Sequence, residues 1–132
     1  MFLFDTDTLS NLGKRHPSPR LLRKLASAPG PIYTSAITVA EIFRGAHRSH
    51  DPARFIQKFH DALRALSGVL SFDQQAAEVY GKIAAELEKQ GLTIGFPDLQ
   101  IAAIALSRNL TVVTHNLRHF QRVPGLQVDD WL

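Results

Sequence analysis

Carboxylates are the residues of this chain best placed to do chemistry. The opening segment closes on Phe4-Asp5-Thr6-Asp7-Thr8, Glu41 follows the pair Thr34-Ser35 by six positions, and Asp98 stands directly after Pro97. The 132 residues include no cysteine, so thiolate metal sites and disulfides are excluded and oxygen or imidazole ligands remain, which suit hard cations. Acids converging on one rim would repel one another unless a cation neutralised them. Mg²⁺ takes oxygen ligands, keeps waters and leaves room for phosphate oxygens. The reaction that such an ion serves is phosphodiester hydrolysis, where it polarises the phosphoryl group and stabilises the leaving oxygen.

Each acid also has a plain structural role open to it. Asp7 or Thr8 can cap a helix while Asp5 ties down the turn. Glu41 lies on a helical pattern whose Val39, Ile42, Phe43 and Ala46 define the core side, and it can form a solvated pair with Arg44 worth only a few tenths of a kcal/mol. Asp98 falls in a first helical turn opened by Pro97, where the helix dipole stabilises negative charge and keeps a carboxylate ionised. Spacing alone does not decide between these roles and metal binding.

The elements that must position the acids are short apolar runs alternating with helical patterns. Strands are predicted at Met1 to Phe4, Ile32 to Thr34, Val69 to Phe72 and Thr111 to Thr114, with a weaker one at Leu126 to Val128. Helices are predicted over Thr8 to Leu12, Pro19 to Ala28, Ala36 to Arg48, Pro52 to Ser67, Gln75 to Gln90 and Pro97 to Arg108. The fifth is stopped by Gly91, and the last is apolar nearly all round and therefore expected to be buried. Alternation of this kind predicts an α/β fold with a parallel sheet. In such sheets binding sites form beyond the carboxyl ends of the strands, which draws attention to Asp5, Ser35, Asp73 and Asn116.

Size and charge bound the remaining possibilities. A chain of 132 residues is expected to form one domain, 1–132, and its 45% hydrophobic and 20% charged fractions are those of an ordinary globular protein. No stretch approaches the ~18 consecutive apolar residues that a membrane span needs. The opening Met-Phe-Leu-Phe-Asp has no basic leader and reads as a strand, which predicts a cytoplasmic location. The net charge is +3, but residues 1–60 carry nine Lys/Arg against four Asp/Glu while residues 61–132 carry six against eight. A basic half is the footprint expected of a protein that meets a polyanion such as RNA.

The ordered segments resemble a known family. Phe4-Asp5-Thr6-Asp7 is similar to the Leu-Asp-Thr-Asn opening of PIN domains, and Ser35 to Glu41 with Gly45 resembles their second acidic helix. Ile94-Gly95-Phe96-Pro97-Asp98-Leu99-Gln100-Ile101-Ala102-Ala103 resembles the third motif. Val113-Thr114-His115-Asn116-Leu117-Arg118-His119-Phe120, with Val123-Pro124-Gly125-Leu126 and Trp131, resembles the ending of VapC toxins. The likeness runs through essentially the whole chain. It implies a three-layer sandwich with a central parallel sheet of four or five strands between helices, and a site in which Asp5, Glu41 and Asp98 hold Mg²⁺ or Mn²⁺. The implied activity is endonucleolytic cleavage of structured RNA such as tRNA, by the toxin of a type II toxin–antitoxin pair. A VapB-like antitoxin partner, a homodimer and contact with operator DNA only through the antitoxin follow from the same resemblance. So does an apolar groove near the helices after residue 35, where an antitoxin segment sets an Arg into the acidic site.

Two positions depart from the family pattern. Asp7 stands where relatives usually have Asn, and Asn116 where many PIN domains carry a fourth acid, so Asn116 is expected to support a metal-bound water through its amide oxygen. Thr6 and Thr114 are candidates for orienting carboxylates or waters, or equally for serving local turns. Arg15, Arg20, Arg44, Arg48 and Arg118 are candidate RNA-backbone contacts. His115 and His119 are candidates for contacting phosphate, but lone histidines in a loop are more often surface residues, and neither is assigned as a general base.

Two other functions compete. Phe2 to Thr8 also matches the Asp-x-Asp-x-Thr opening of haloacid-dehalogenase-type phosphatases, with Asp5 as nucleophile, but the later lysine and acidic pair are missing, since Asp129-Asp130 lies two residues from the last. The second is a catalytically inert RNA- or protein-binding PIN module, against which the retention of all three acids argues.

Overall fold

In the computed structural model, which describes all of residues 1–132, twelve elements follow one another. They are β1 (Phe2–Phe4), α1 (Thr6–Leu12), α2 (Pro19–Ser27), β2 (Ile32–Ser35), α3 (Ala36–His47), α4 (Pro52–Arg64), β3 (Gly68–Leu70), α5 (Gln74–Lys89), α6 (Phe96–Ser107), β4 (Thr111–Val113), α7 (Leu117–Phe120) and β5 (Val128–Asp129). The five strands form one parallel sheet in the order β3-β2-β1-β4-β5. The expected α/β architecture is therefore present, with β1 at the centre.

Side chains on successive strand residues point to opposite faces, and that alternation builds a core on each side of the sheet. Leu3, Val112 and Tyr33 join the core formed with α5 and α6, whereas Phe4, Val113 and Ile32 join Leu9, Leu21, Ile42 and Ala62 on the other side. Trp131 closes the second core, edge-on to Phe2 at 4.9 Å and to Phe4 at 5.5 Å between ring centroids. The α6 helix is buried on nearly every side, with Ile101, Ala102, Ala103, Ile104 and Ala105 inaccessible to solvent. Each large aliphatic side chain removed from water in this way contributes about 1.5–3 kcal/mol.

Helix starts are set by side-chain caps. Asp5, Ser18, Ser35, Asp51 and Asp73 each accept a hydrogen bond from a backbone N–H in the first turn of the helix they precede, an interaction typically worth about 1 kcal/mol. Pro19, Pro52 and Pro97 occupy first-turn positions where the missing N–H costs nothing. Gly91 adopts φ of 69° just past α5, and the Leu92 N–H then bonds back to the Leu87 carbonyl. Asn109 uses the same left-handed conformation to end α6.

Several boundaries differ from expectation, for identifiable reasons. The first helix begins at Thr6 and not Thr8, because Asp5 itself is the cap. The fourth ends at Arg64 and not Ser67, since the Ser67 N–H turns to the Ile32 carbonyl at 2.7 Å and feeds β3. That strand spans Gly68–Leu70, ending earlier than Phe72. The last strand is shifted to Val128–Asp129, and the single-turn α7 was not anticipated, four residues being too few to show a helical period. No helix is long and apolar enough to cross a membrane.

Candidate active site

Register fixes the rim. Phe4 lies opposite Thr34 on β2 and Val113 on β4, so the next residues, Asp5, Ser35 and Thr114, emerge side by side at the carboxyl edge of the three central strands. All three are buried, Asp5 to 3% exposure. The Asp5 N–H bonds the Val113 carbonyl at 3.2 Å, and Asp5 Oδ1 accepts the Thr8 N–H at 2.9 Å. The Thr8 hydroxyl donates to the Val113 carbonyl and the Thr34 hydroxyl to the Phe4 carbonyl, each at 2.9 Å. The edge is thus a rigid mesh with a carboxylate at its centre.

Glu41 reaches this rim from α3. Ser35 caps that helix and Glu41 lies on its exposed side. Its Oε1 accepts a hydrogen bond of 2.7 Å from the Thr6 hydroxyl, and it does not pair with Arg44. The Thr6 hydroxyl is also 3.4 Å from Thr38 Oγ1. Thr6 thereby joins the residue after Asp5 to the Glu41 carboxylate.

Asp98 arrives from the first turn of α6, preceded by Pro97. Its Oδ2 lies 2.9 Å from His119 Nδ1, which is otherwise buried and finds no other hydrogen-bond partner. The two atoms are close enough for a hydrogen bond, and the contact is an ion pair when the imidazole carries its proton. His119 is half-buried on α7, contrary to the expectation of a free surface histidine. Its neighbour His115 is exposed and pairs with Asp130 at 3.0 Å.

The electrostatics couple these groups. Burial pushes the Asp5 carboxyl up to about 6; the Thr114 hydroxyl, the Thr8 N–H and the Thr8 hydroxyl draw it down, and the charge of Asp7 raises it. Burial likewise raises Asp98, the charge and the hydrogen bond of His119 lower it, and Glu41 and Asp7 push it up again. Asp7 is exposed on α1 and caps nothing, but its charge is felt at both acids. An excess of acidic oxygens over one histidine, two of them desolvated, is a donor set that fits a hard divalent cation. As the side chains stand, however, no three acidic or histidine groups are arranged to hold an ion between them. Glu41 is bonded to Thr6, beside Asp5, while Asp98 is bound to His119.

The remaining predicted residues divide. Thr114 touches the site, and its hydroxyl accepts the Asn116 N–H at 2.9 Å. Asn116 precedes α7 and lines a concavity with Arg118, His119 and Arg122. Arg15, Arg20, Arg44 and Arg48 are exposed on other elements, in the turn after α1, on α2 and on α3 with its C-cap. Ser35 and Asp73 serve as caps, and Asp73 also pairs with Arg108 at 3.2 Å. Asp129 accepts the Trp131 indole N–H at 3.0 Å, so it is engaged in holding the second core. The sequence pattern did not single out Arg122, nor the pairing of His119 with Asp98; the Asn-x-x-His spacing was the one signal for the latter, since it sets His119 one turn past Asn116.

A second concavity of about 270 Å³ opens beside Glu41. Its walls include Thr6, Ile42, Gly45, Ala46, Phe55 and Phe59, from α1, α3 and α4, the region where an apolar groove was expected.

Known proteins are similar to this chain in sequence and in fold. The family model of the PIN domain matches residues 2–126. Ribonuclease VapC2 of Haemophilus influenzae is 38% identical over 131 residues, covering 99% of this chain and 98% of that protein. The tRNA(fMet)-specific endonuclease VapC of Salmonella typhimurium is 37% identical, covering 98% and 97%. Among solved structures, DNA-bound VapBC from Salmonella typhimurium superposes with a TM-score of 0.92 at 37% identity, covering 99% of this chain and 98% of the other. VapBC2 of Rickettsia felis, bound to a promoter DNA fragment, also gives 0.92, at 29% identity and the same coverage.

Proposed function

The chain belongs to the PIN-domain family as an endoribonuclease toxin of a type II toxin–antitoxin system, and from that premise we propose that it cuts structured RNA such as tRNA with a divalent cation held by Asp5, Glu41 and Asp98. What supports the site assignment is that Asp5 and Asp98 are both desolvated and both feel the charge of Asp7, while Asp98 also feels that of Glu41, whose carboxylate is bonded to Thr6, the residue after Asp5. Mg²⁺ or Mn²⁺ bound there would polarise the phosphoryl group and offset the charge that develops on it.

The chain's own groups supply position and charge. Asp5 is held in place by the Thr8 N–H and by the Thr114 hydroxyl. Thr6 holds Glu41 toward the rim, and His119 offsets part of the Asp98 charge. In the overall reaction a water oxygen forms the new bond to phosphorus, the bond to the leaving ribose oxygen breaks, and that oxygen takes a proton. Asn116 and Thr114 stand at the site's edge, where an amide oxygen and a hydroxyl can orient water. Asp7 adds negative charge that favours a cation.

The family and the solved toxin–antitoxin complexes give this chain an antitoxin partner. We assign the antitoxin segment to the concavity beside Glu41, where Ile42, Phe55 and Phe59 offer apolar contact and Glu41 offers a carboxylate to a basic side chain. Contact with operator DNA through the antitoxin, pairing of two copies and action in the cytoplasm complete the reading and rest on the family resemblance.

The test is cleavage of total tRNA by purified chain with Mg²⁺, with Mn²⁺ and with chelator, beside Asp5→Asn, Glu41→Gln and Asp98→Asn. Cleavage that needs either cation and is lost in all three variants is the expected result. Glu41→Gln also separates this reading from a phosphatase with an Asp5 nucleophile, which would keep hydrolysing p-nitrophenyl phosphate. Expression of the chain should arrest growth, and Asp5→Asn should relieve the arrest; toxicity undiminished in well-folded Asp5→Asn and Asp98→Asn would overturn the assignment of these acids.

A further inference from the structure

The concavity beside α7 measures about 320 Å³ and is lined by Asn116, Arg118, His119 and Arg122, with no apolar side chain among them. His119 is the wall it shares with the acidic site, since its ring lies 2.9 Å from Asp98. Neither arginine has a carboxylate partner: the ion pairs of the chain are Arg64–Asp61, Arg108–Asp73, His115–Asp130 and His119–Asp98. Arg122 is nonetheless held in place, for its Nη1 donates to the Thr93 carbonyl at 3.3 Å, in the loop that leads to α6 and Asp98. Two guanidiniums lining one concavity repel each other, and neither forms an ion pair with a carboxylate of the chain.

A polar pocket with two unpaired guanidiniums is suited to an anion, and the planar fork of Arg matches phosphate oxygens best. We propose that this concavity is a phosphodiester subsite, with Arg118 and Arg122 gripping an RNA backbone phosphate next to the one being cut. The proposal rests on the ribonuclease reading above and deepens it. RNA approaching several carboxylates is repelled, and fixed positive charge immediately beside them offsets that repulsion and sets the register of the strand. Contacts of this kind position the substrate without reading its sequence. A lining of four polar side chains with no apolar one, two of them guanidiniums, fits a backbone phosphate.

The experiment uses the full chain carrying Asp5→Asn, so that RNA is bound but not cut, and a labelled single-stranded RNA oligonucleotide titrated from about 50 to 200 mM salt. Arg118→Gln with Arg122→Gln is expected to weaken binding about 10-fold and to reduce the slope of log K against log salt by about 0.7, the single-strand value for one phosphate contact. Arg64→Gln on α4, which removes one charge elsewhere, should leave the slope unchanged. Arg122→Lys should restore most of the slope; if it behaves like Arg122→Gln, the residue only clamps the loop at Thr93 and its part in the proposal falls. A double variant with the affinity and slope of the Arg64→Gln control would overturn the subsite. In the chain with Asp5 intact, the double variant should raise KM more than it lowers kcat. Failure of that chain to cut any RNA with Mg²⁺ or Mn²⁺ would instead overturn the ribonuclease reading, while the binding titration would still decide the subsite.

Discussion

The Thr6 hydroxyl donates to Glu41 Oε1 across 2.7 Å and so ties the first helix, one residue past Asp5, to the acid carried by the third. The bond lies in a solvent-exposed position, where water replaces it readily, so its net contribution to stability is small and its effect is on where the carboxylate sits. Thr6→Val keeps the shape and removes the donor, leaving Glu41 free to swing from the rim. We expect kcat/KM for RNA cleavage to fall about 10-fold or more and the melting temperature to change little. Unaltered kinetics in this variant would show that Glu41 needs no such guide.

Asp5 makes stability depend on pH in an unusual direction. Its carboxyl is held near 6 in the folded chain, against 3.8 for an unperturbed aspartate. Between those values the folded state binds more protons than the unfolded one, so stability falls as pH rises through this window. The loss is on the order of 3 kcal/mol once pH exceeds 6. Asp98 is also raised and acts in the same sense. Denaturant titrations without divalent ions should therefore show a stability decline from pH 4 to pH 7 that is much flatter in Asp5→Asn.

Added cation should reverse that loss. An ion that binds only the folded chain stabilises it by about 2.7 kcal/mol at a concentration 100 times its Kd. At pH 7.5, Mg²⁺ or Mn²⁺ is expected to raise the melting temperature of the parent chain, and much less that of Asp5→Asn or Asp98→Asn. Equal shifts in all three would place the ion elsewhere.

The antitoxin assignment is checked at Phe55, which lines the concavity beside Glu41 and stacks edge-on against His50. Phe55→Asp puts a charge where an apolar partner segment is expected. Affinity for the cognate antitoxin should drop at least about 10-fold, equivalent to 1.4 kcal/mol, and co-expressed antitoxin should no longer protect the cell.

Trp131 tests the fold itself. It is 3% exposed, closes the second core against Phe2 and Phe4, and donates its indole N–H to Asp129. Trp131→Ala should cost about 3–5 kcal/mol. A smaller loss in urea titrations would mean that the core relaxes around the missing ring.

The architecture was legible where the sequence repeats a physical pattern. Alternating apolar strands and helical periods located the α/β order, and Pro97 located the start of the helix that carries Asp98. What stayed hidden depends on contacts between distant segments. Asp5 looked like a turn residue beside a cap, and only its bond to the Thr8 N–H shows that it is the cap. His119 belongs to a helix of one turn, too short for periodicity, and its partner is 21 positions away at Asp98. The Glu41 side chain, expected to pair with Arg44 or a metal, meets Thr6, 35 positions earlier. Chain order fixes which residues share the rim, but the direction in which each side chain turns is decided by its neighbours there.

Asp5 holds two posts at once, anchoring the first helix while sitting among the acids. Changes at this position are therefore unequal in their collateral damage. Asparagine keeps the acceptor that the helix needs and discards only the charge, so a disarmed toxin can persist as an intact antitoxin-binding decoy. Alanine removes the anchor as well, so a lineage that loses the carboxylate by that route also loosens the first turn of that helix, at a cost of about 1 kcal/mol.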